Sequence, residues 1–287
     1  MKKLFCLSLT ALVLLCVSCK KDDKPGNSGD SAKYGVDGVT PLPEAVDLGT
    51  VVNGKTVLWA SFNLGASKPE EYGDYYAWGE KITYYSTLEP LAWAKRDETD
   101  ENVLHYDWDS YLYANGAYNK LTKYCPKGLE TNYWDNTAKP EGPDGEVKLL
   151  PTDDVAHVKL GGKWRMPTLD DIKALLALKT NDDYTWDKWA LATDENGDEV
   201  KDAWGNVVRG IRITRKSTGA TLFLPAAGLC SGTDVGENAG SWGYYWSSSL
   251  NTVDPYAAFN LSFRSGGSDW SDLSRFDGFT LRPVYVE

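Results

Sequence analysis

His105 and His157 are the only histidines of the chain, so an HExxH zinc site and a histidine-rich metal centre are excluded. Cys125 or Cys230 could pair with a histidine as a thiol nucleophile. Neither sits in a CxxC pair or beside residues that would activate it, and a buried or disulfide-bonded cysteine is the simpler expectation. No G-x-S-x-G elbow, Walker loop or G-x-G-x-x-G occurs. Carboxylates are plentiful, with 41 Asp and Glu, yet no spacing singles out an acid/base pair. With these constellations missing, the sequence predicts a protein that is not an enzyme.

Two acidic segments offer oxygen ligands that could hold calcium. Asp194-Glu195-Asn196-Gly197-Asp198-Glu199 lacks the EF-hand order and reads better as a hairpin tip on Asn196-Gly197. Residues 269–277 form the second, without a known loop signature. No cofactor is expected, calcium being the one metal left open. The positive signal is recognition chemistry crowded into the last fifty positions. Gly240-Ser241-Trp242-Gly243-Tyr244-Tyr245-Trp246 is followed by residues 265–278, which carry Trp270, Arg275 and Phe276 and are too irregular and glycine-rich to read as a strand. Exposed aromatics beside Asp and Arg supply flat stacking faces and flanking hydrogen-bond groups, as sugar or protein recognition requires. Trp246 reads as core, Trp242 and Tyr244 admit the same reading, and Trp270 reads equally as core or as an exposed face.

The elements that must position these residues are short. Val46-Asp47-Leu48 and Val57-Leu58-Trp59-Ala60 flank Asn53-Gly54, a hairpin turn whose residues tolerate positive φ. Thr152 can cap a helix over 153–160 that Gly161 ends. Thr168-Leu169-Asp170-Asp171 resembles a capping box, after which Leu169, Ile172, Leu175 and Leu176 fall on one helical face. From Gly210 onward the pattern is β. Residues 211–214 and 259–264 alternate, the latter sending Phe259, Leu261 and Phe263 to one face, while 221–224 and 244–246 read as buried strands. Pro283, lacking an N–H, suggests an edge position or a bulge in the last strand. Residues 81–150 and 181–207 read as insertions. The expectation is an α+β fold with one mostly antiparallel sheet, two short helices and long irregular loops.

The amino terminus reads as an export signal over residues 1–18. Lys2 and Lys3 precede an apolar run too short to span a bilayer comfortably, and Cys19 follows small residues where cleavage would expose a thiol for acylation. An ordinary secreted chain with an incidental cysteine is the alternative, since Cys16 stands where a lipobox usually has Leu. Lys21-Asp22-Asp23 resembles a signal for display outside the outer membrane, and Asp30-Ser31-Ala32 an O-glycosylation sequon. Residues 19–40 are charged and poor in large apolar groups, as a flexible tether is. The expected product is a lipid-anchored outer-membrane protein exposed at the cell surface, with membrane contact only through its anchor. About 245 residues remain for one domain over 41–287. Losing Lys2 and Lys3 takes the net charge from −11 to −13, against a nucleic-acid partner. A Cys125–Cys230 bridge stays open, the spacing being a weak guide.

Seven blocks in order carry a family likeness: Glu44-Ala45-Val46-Asp47-Leu48-Gly49, Trp59-Ala60-Ser61-Phe62-Asn63-Leu64-Gly65-Ala66, Tyr72-Gly73-Asp74-Tyr75-Tyr76-Ala77-Trp78-Gly79-Glu80, Gly161-Gly162-Lys163-Trp164-Arg165-Met166-Pro167-Thr168, Leu224-Pro225-Ala226-Ala227-Gly228, Tyr245-Trp246-Ser247-Ser248-Ser249 and Leu281-Arg282-Pro283-Val284. Together they resemble the Fibrobacter succinogenes major paralogous domain. The resemblance implies a C-type-lectin-like fold of the formylglycine-generating-enzyme branch, with paired terminal strands and a long loop region displayed on one side. The carboxyl-terminal segment also resembles the variable region of retroelement-diversified bacterial proteins. Carried over, the implied ligand surface is Asn260, Ser262, Arg264, Ser265, Asp269, Trp270, Asp272, Arg275 and Phe276. Diversified relatives are Asn-rich there, whereas this chain has Ser, Asp and Arg. The Glu-Pro-Asn and Trp-Asn-Asp sugar motifs of calcium lectins are missing, so calcium-dependent sugar binding is not implied. The function expected is a surface-displayed binding module for a glycan or protein ligand, with a structural, adhesin or appendage-assembly role as the alternative.

Overall fold

Asn53 and Gly54 adopt φ of 51° and 75°, and that left-handed pair folds strand Ala45–Val52 back antiparallel on Lys55–Ala60. The hairpin is as the sequence predicts. In the computed structural model, which describes residues 33–86, 92–93 and 105–287, the chain's last strand completes the same sheet. Val284–Val286 pairs antiparallel with Lys55–Ala60 on one side and with Trp164–Arg165 on the other, giving four strands. Pro283 is therefore not at a sheet edge. It stands one residue before a strand paired on both sides, where no N–H is needed, and its carbonyl accepts from Ala60 N at 2.9 Å.

The two expected helices form. Val155–Leu160 is capped by Asp154 rather than Thr152, the carboxylate accepting from His157 N, and ends at Gly161 with φ 74°. Leu169–Ala177 carries the full capping box: Thr168 Oγ1 accepts from Asp171 N, and the Asp171 carboxylate accepts from Thr168 N at 2.7 Å. Its Ile172 and Leu175 are buried with Leu48, Trp59, Ile211, Ile213, Tyr245, Leu261, Phe263 and Val284, so this one helix ties the hairpin sheet to two others. A single turn at Glu130–Tyr133 was not legible in the sequence.

The β structure is divided among several small sheets rather than gathered into one. Tyr184–Leu191, Arg209–Arg215 and Thr221–Pro225 form a three-stranded sheet, and Trp242–Leu250, Ala257–Arg264 and Gly267–Ser274 form a meander. Leu229–Ser231 pairs with Asp234–Glu237, and Asp74–Tyr75, Tyr85–Ser86 and Ala92–Trp93 make a minor sheet. All these strand pairings are antiparallel. The result is mostly antiparallel sheet with few short helices.

Three expected boundaries move. The expected signal sequence, Cys19 and residues 19–32 of the expected tether lie outside the described residues, but residues 33–40 are docked rather than free. Asp37 N donates to Lys159 O at 3.3 Å, and Gly35 lies so close that a Cβ there would be 2.2 Å from the same carbonyl. The supposed insertion 81–150 supplies core. Tyr106, Tyr111, Tyr113 and Tyr124 are buried, and the first three donate to the carbonyls of Tyr75, Trp78 and Gly79 at 2.8, 2.8 and 3.1 Å. A tyrosine whose hydroxyl finds a partner is as good a core residue as phenylalanine, which is why a polar-looking stretch ends up inside. The region 181–207 begins with strand Tyr184–Leu191, and only the turns after it project.

Candidate functional site

Pairing within the meander sorts its residues onto two faces, because directly opposed residues of an antiparallel pair point the same way. On the inner face Tyr245, Leu261 and Phe263 are buried toward helix Leu169–Ala177. The outer face is built in rows across the three strands. Trp242 stands opposite Arg264 and then Gly267; Tyr244 opposite Ser262 and Asp269; Trp246 opposite Asn260 and Ser271.

The first two rows make an aromatic and polar platform. The Trp242 and Tyr244 rings are 5.7 Å apart and within 5° of parallel, both half-buried, and the Arg264 guanidinium lies 4.7 Å over the Trp242 ring. Gly243 makes this spacing workable. Its neighbour on the inner face is the Phe263 ring, and a Cβ at 243 would be 2.1 Å from it. Trp242, Ser262, Arg264, Gly266 and Asp269 line an open concavity of about 310 Å³. The third row turns inward: Trp246 is fully buried, stacked on Phe279 at 4.0 Å, as the sequence predicts.

Acidic groups flank Tyr244. Asp277 is buried, and burial pushes its carboxyl up to about 7; the Glu237 charge adds to this and a Ser231 hydrogen bond opposes it. The Tyr244 phenol is raised chiefly by burial and then by Glu237, with Arg264 pulling the other way.

The implied ligand surface is split by this geometry. Ser262, Arg264, Ser265 and Asp269 are gathered on the outer face or its turn. Trp270 is exposed, at 42%, but on the opposite face, where it meets the Phe259 ring edge-on at 5.6 Å with Lys173 Nζ 5.0 Å above it. Asp272 shares that face and accepts from Asn251 Nδ2 at 3.2 Å. Two positions are corrected from surface to interior, and a third is half-buried in an aromatic contact. Asn260 is fully buried, and neither polar atom of its amide has a partner. Arg275 is fully buried: Nε donates to Tyr111 Oη at 2.9 Å, Nη1 to the Tyr124 and Pro255 carbonyls, and Nη2 to the Lys123 carbonyl. It is a clamp on two backbone segments and the Tyr111 phenol. Phe276 is half-buried and packs edge-on against Trp108 at 5.0 Å.

Residues 265–278, expected to be too irregular for a strand, contain one at 267–274. Ser265 and Gly266 make the turn, Gly267 opens the strand opposite Arg264, and Ser and Asp residues recur beyond it along the sheet edge, where charge is tolerated. The aromatic pair was the harder miss. Its signal was present in the alternation Trp242-Gly243-Tyr244, which puts both rings on one face opposite Tyr245.

Neither acidic segment gathers a calcium cage. The Asp194 carboxylate accepts from Asn196 N and Asp198 N, both at 2.9 Å, which closes its own turn. Asp269 and Asp272 point to opposite faces of their strand, so their oxygens cannot meet on one ion. Among the described residues no group of three or more His, Cys, Asp or Glu is placed to hold a metal. Cys125 and Cys230 are free and buried in different apolar clusters, so the bridge left open by the sequence is not formed. Burial pushes the Cys125 thiol up to about 11 and Cys230 higher still, so neither is an activated nucleophile. Among the described residues no helix is long and apolar enough to cross a membrane. No family model, curated protein or solved structure matches the chain.

Proposed function

We propose that the chain is a surface-displayed lipoprotein binding module that holds a glycan on the outer face of its carboxyl-terminal meander. On this reading Cys19 carries the lipid, the protein sits on the outside of the outer membrane, and the fold is C-type-lectin-like, a binder rather than a catalyst. The pairing of the last strand with the amino-terminal hairpin supports that fold. The observation that carries the functional reading is the parallel, half-exposed Trp242–Tyr244 pair beside Arg264 and Asp269. A flat aromatic face backed by a parallel ring suits the apolar side of a pyranose ring, while the guanidinium, carboxylate and Ser262 hydroxyl offer partners to its hydroxyls.

Relative to the surface implied by the resemblance, the proposed contacts are Trp242, Tyr244, Ser262, Arg264, Ser265 and Asp269, with Trp270 and Asp272 peripheral and Asn260, Arg275 and Phe276 structural. A glycan array and a protein array probed with the full chain, with and without chelator, test this. Retention of a glycan should fall at least tenfold in Trp242→Ala and in Arg264→Ala and persist in Trp270→Ala and with chelator present. Unchanged retention in the first two variants would overturn the assignment.

The alternative reading, an adhesin or appendage component, draws on strand Gly267–Ser274, which forms the outer edge of the meander and could take a partner strand. A stoichiometric envelope protein that co-purifies in mild detergent, and is lost when proline replaces Ser271, would favour it.

A further inference from the structure

A second cavity, of about 540 Å³, opens where Trp164–Arg165 and Val284–Val286 meet residues 148–151 and helix Val155–Leu160. In a chain of net charge −11, four cationic side chains line it: Lys55, Lys148, Lys163 and Arg165, with His157 beside them. Chance scatter of 30 Lys and Arg over an acidic surface does not favour such a gathering, so the charges need accounting for one at a time.

Arg165 is partly neutralised, its Nη1 donating to Asp171 Oδ2 at 2.6 Å and to the Met166 carbonyl at 2.8 Å; among the described residues Nε and Nη2 have no acceptor. Lys55, Lys148 and Lys163 form no ion pair among the described residues, and Lys163 rests 5.7 Å over the Tyr285 ring. His157 uses Nδ1 on the Trp164 carbonyl at 3.1 Å, which leaves Nε2 unengaged. Two carboxylates line the same cavity. Asp154 is buried and already accepts from Met166 N and His157 N, and burial raises its pKa, so it is a poor counter-ion. Glu287 is exposed at the rim. Lys148, exposed overall but partly desolvated where it meets the cleft, is held below its ordinary pKa first by that desolvation and then by the Arg165 charge, which together outweigh the pull of Asp171, Asp154 and Asp170. Leu149, Pro151, Trp164 and Val286 add apolar wall, so a bare ion would leave much of the space unused.

We propose that this cleft binds a small organic polyanion, a molecule of one or two rings or an equivalent chain bearing two or more carboxylate, sulfate or phosphate groups. The site is separate in its residues from the meander platform and does not rest on the glycan reading. Lys148, Lys163 and the free edge of the Arg165 guanidinium would hold the anionic groups, and the apolar wall would take the carbon skeleton.

Titration calorimetry on the full chain tests this with three probes: citrate, pyrophosphate and a trisulfated heparin disaccharide, each at low and at physiological salt. At least one probe should bind in low salt with a Kd below about 1 mM, more weakly at physiological salt. Which probe binds tightest distinguishes a carboxylate, phosphate or sulfated-sugar source. Affinity should fall at least tenfold in the Lys148→Ala, Lys163→Ala double variant, stay unchanged in Trp242→Ala, and rise in Glu287→Gln. Both lysines are solvent-exposed, so the double variant should melt with the wild type. Failure of all three probes to bind at about 10 mM, or equal affinity in the double variant, would overturn the proposal.

Discussion

Replacing Arg275 with alanine should unfold the protein far more than it disturbs any surface. The side chain is fully buried, and its guanidinium satisfies one phenol oxygen and three backbone carbonyls drawn from residues 111, 123, 124 and 255. It also lies 5.0 Å from the Trp78 ring centre and 5.2 Å from that of Tyr111. Truncation leaves four buried acceptors without their donor, at about 1–3 kcal/mol for each group that water cannot reach, and adds a cavity. These effects are not additive, and a buried charge without a carboxylate partner has its own desolvation cost, so a loss of about 4 kcal/mol is the reasoned figure. Against a total stability of about 5–15 kcal/mol this is large, and corresponds to a fall in Tm of roughly 10 °C. Arg275→Lys should fall between, since an ammonium cannot reach four acceptors spread around a planar fork. Calorimetry with urea titration measures both. An Arg275→Ala protein that melts within about 2 °C of wild type would refute the clamp and return this side chain to the ligand surface.

Other expectations follow from single groups. Asn260→Leu, close to isosteric, removes a buried amide with no partner and should raise stability by about 1 kcal/mol in urea titration; a loss of that size would contradict the orphan assignment. Asp277 has a folded pKa of about 7 against 3.8 in the unfolded chain, so its contribution to stability is fully present below pH 4 and is lost as pH rises to 7. Asp277→Asn should therefore gain stability relative to wild type progressively over that interval; a constant difference would show that Asp277 does not titrate there. Cys125 and Cys230 should resist a thiol reagent at pH 8 in the native state and both react in urea, whereas a mass short by two hydrogens that a reductant restores would reveal a bridge. Thr168→Ala should cost about 1–2 kcal/mol by opening the capping box, with Thr168→Asn restoring most of it.

Local signals in the sequence served well where the physics is local. Asn53-Gly54, the Thr168 capping box, Gly161 and the period-two strands 211–214 and 259–264 each depend on neighbours a few residues away. Whether a polar residue is inside depends instead on distant partners, and there the reading failed in both directions. Arg275 resembled a binding residue because it follows Trp270 along the chain, yet its acceptors come from residues 111–124 and 255. Arg282 is buried in the same manner, held by Asn63 and the carbonyls of Ala60, Ser61 and Phe223. The tyrosines of 106–124 look like loop until their hydroxyls are matched to carbonyls of residues 75–79. For the site itself, alternation alone would have separated Trp242 and Tyr244 from Tyr245. It would also have put Trp270 and Asp272 opposite Asp269, had the strand Gly267–Ser274 been recognised behind the glycine pair that opens it.

The most direct test follows the tryptophan indole N–H signals by NMR while the full chain is titrated with a glycan retained on the array, the resonances assigned by Trp242→Phe and Trp270→Phe. Occupation of the outer face should shift the Trp242 signal and leave that of Trp270 in place. A shift confined to Trp270, with Trp242 unmoved at saturation, would contradict ligand binding by the outer-face platform.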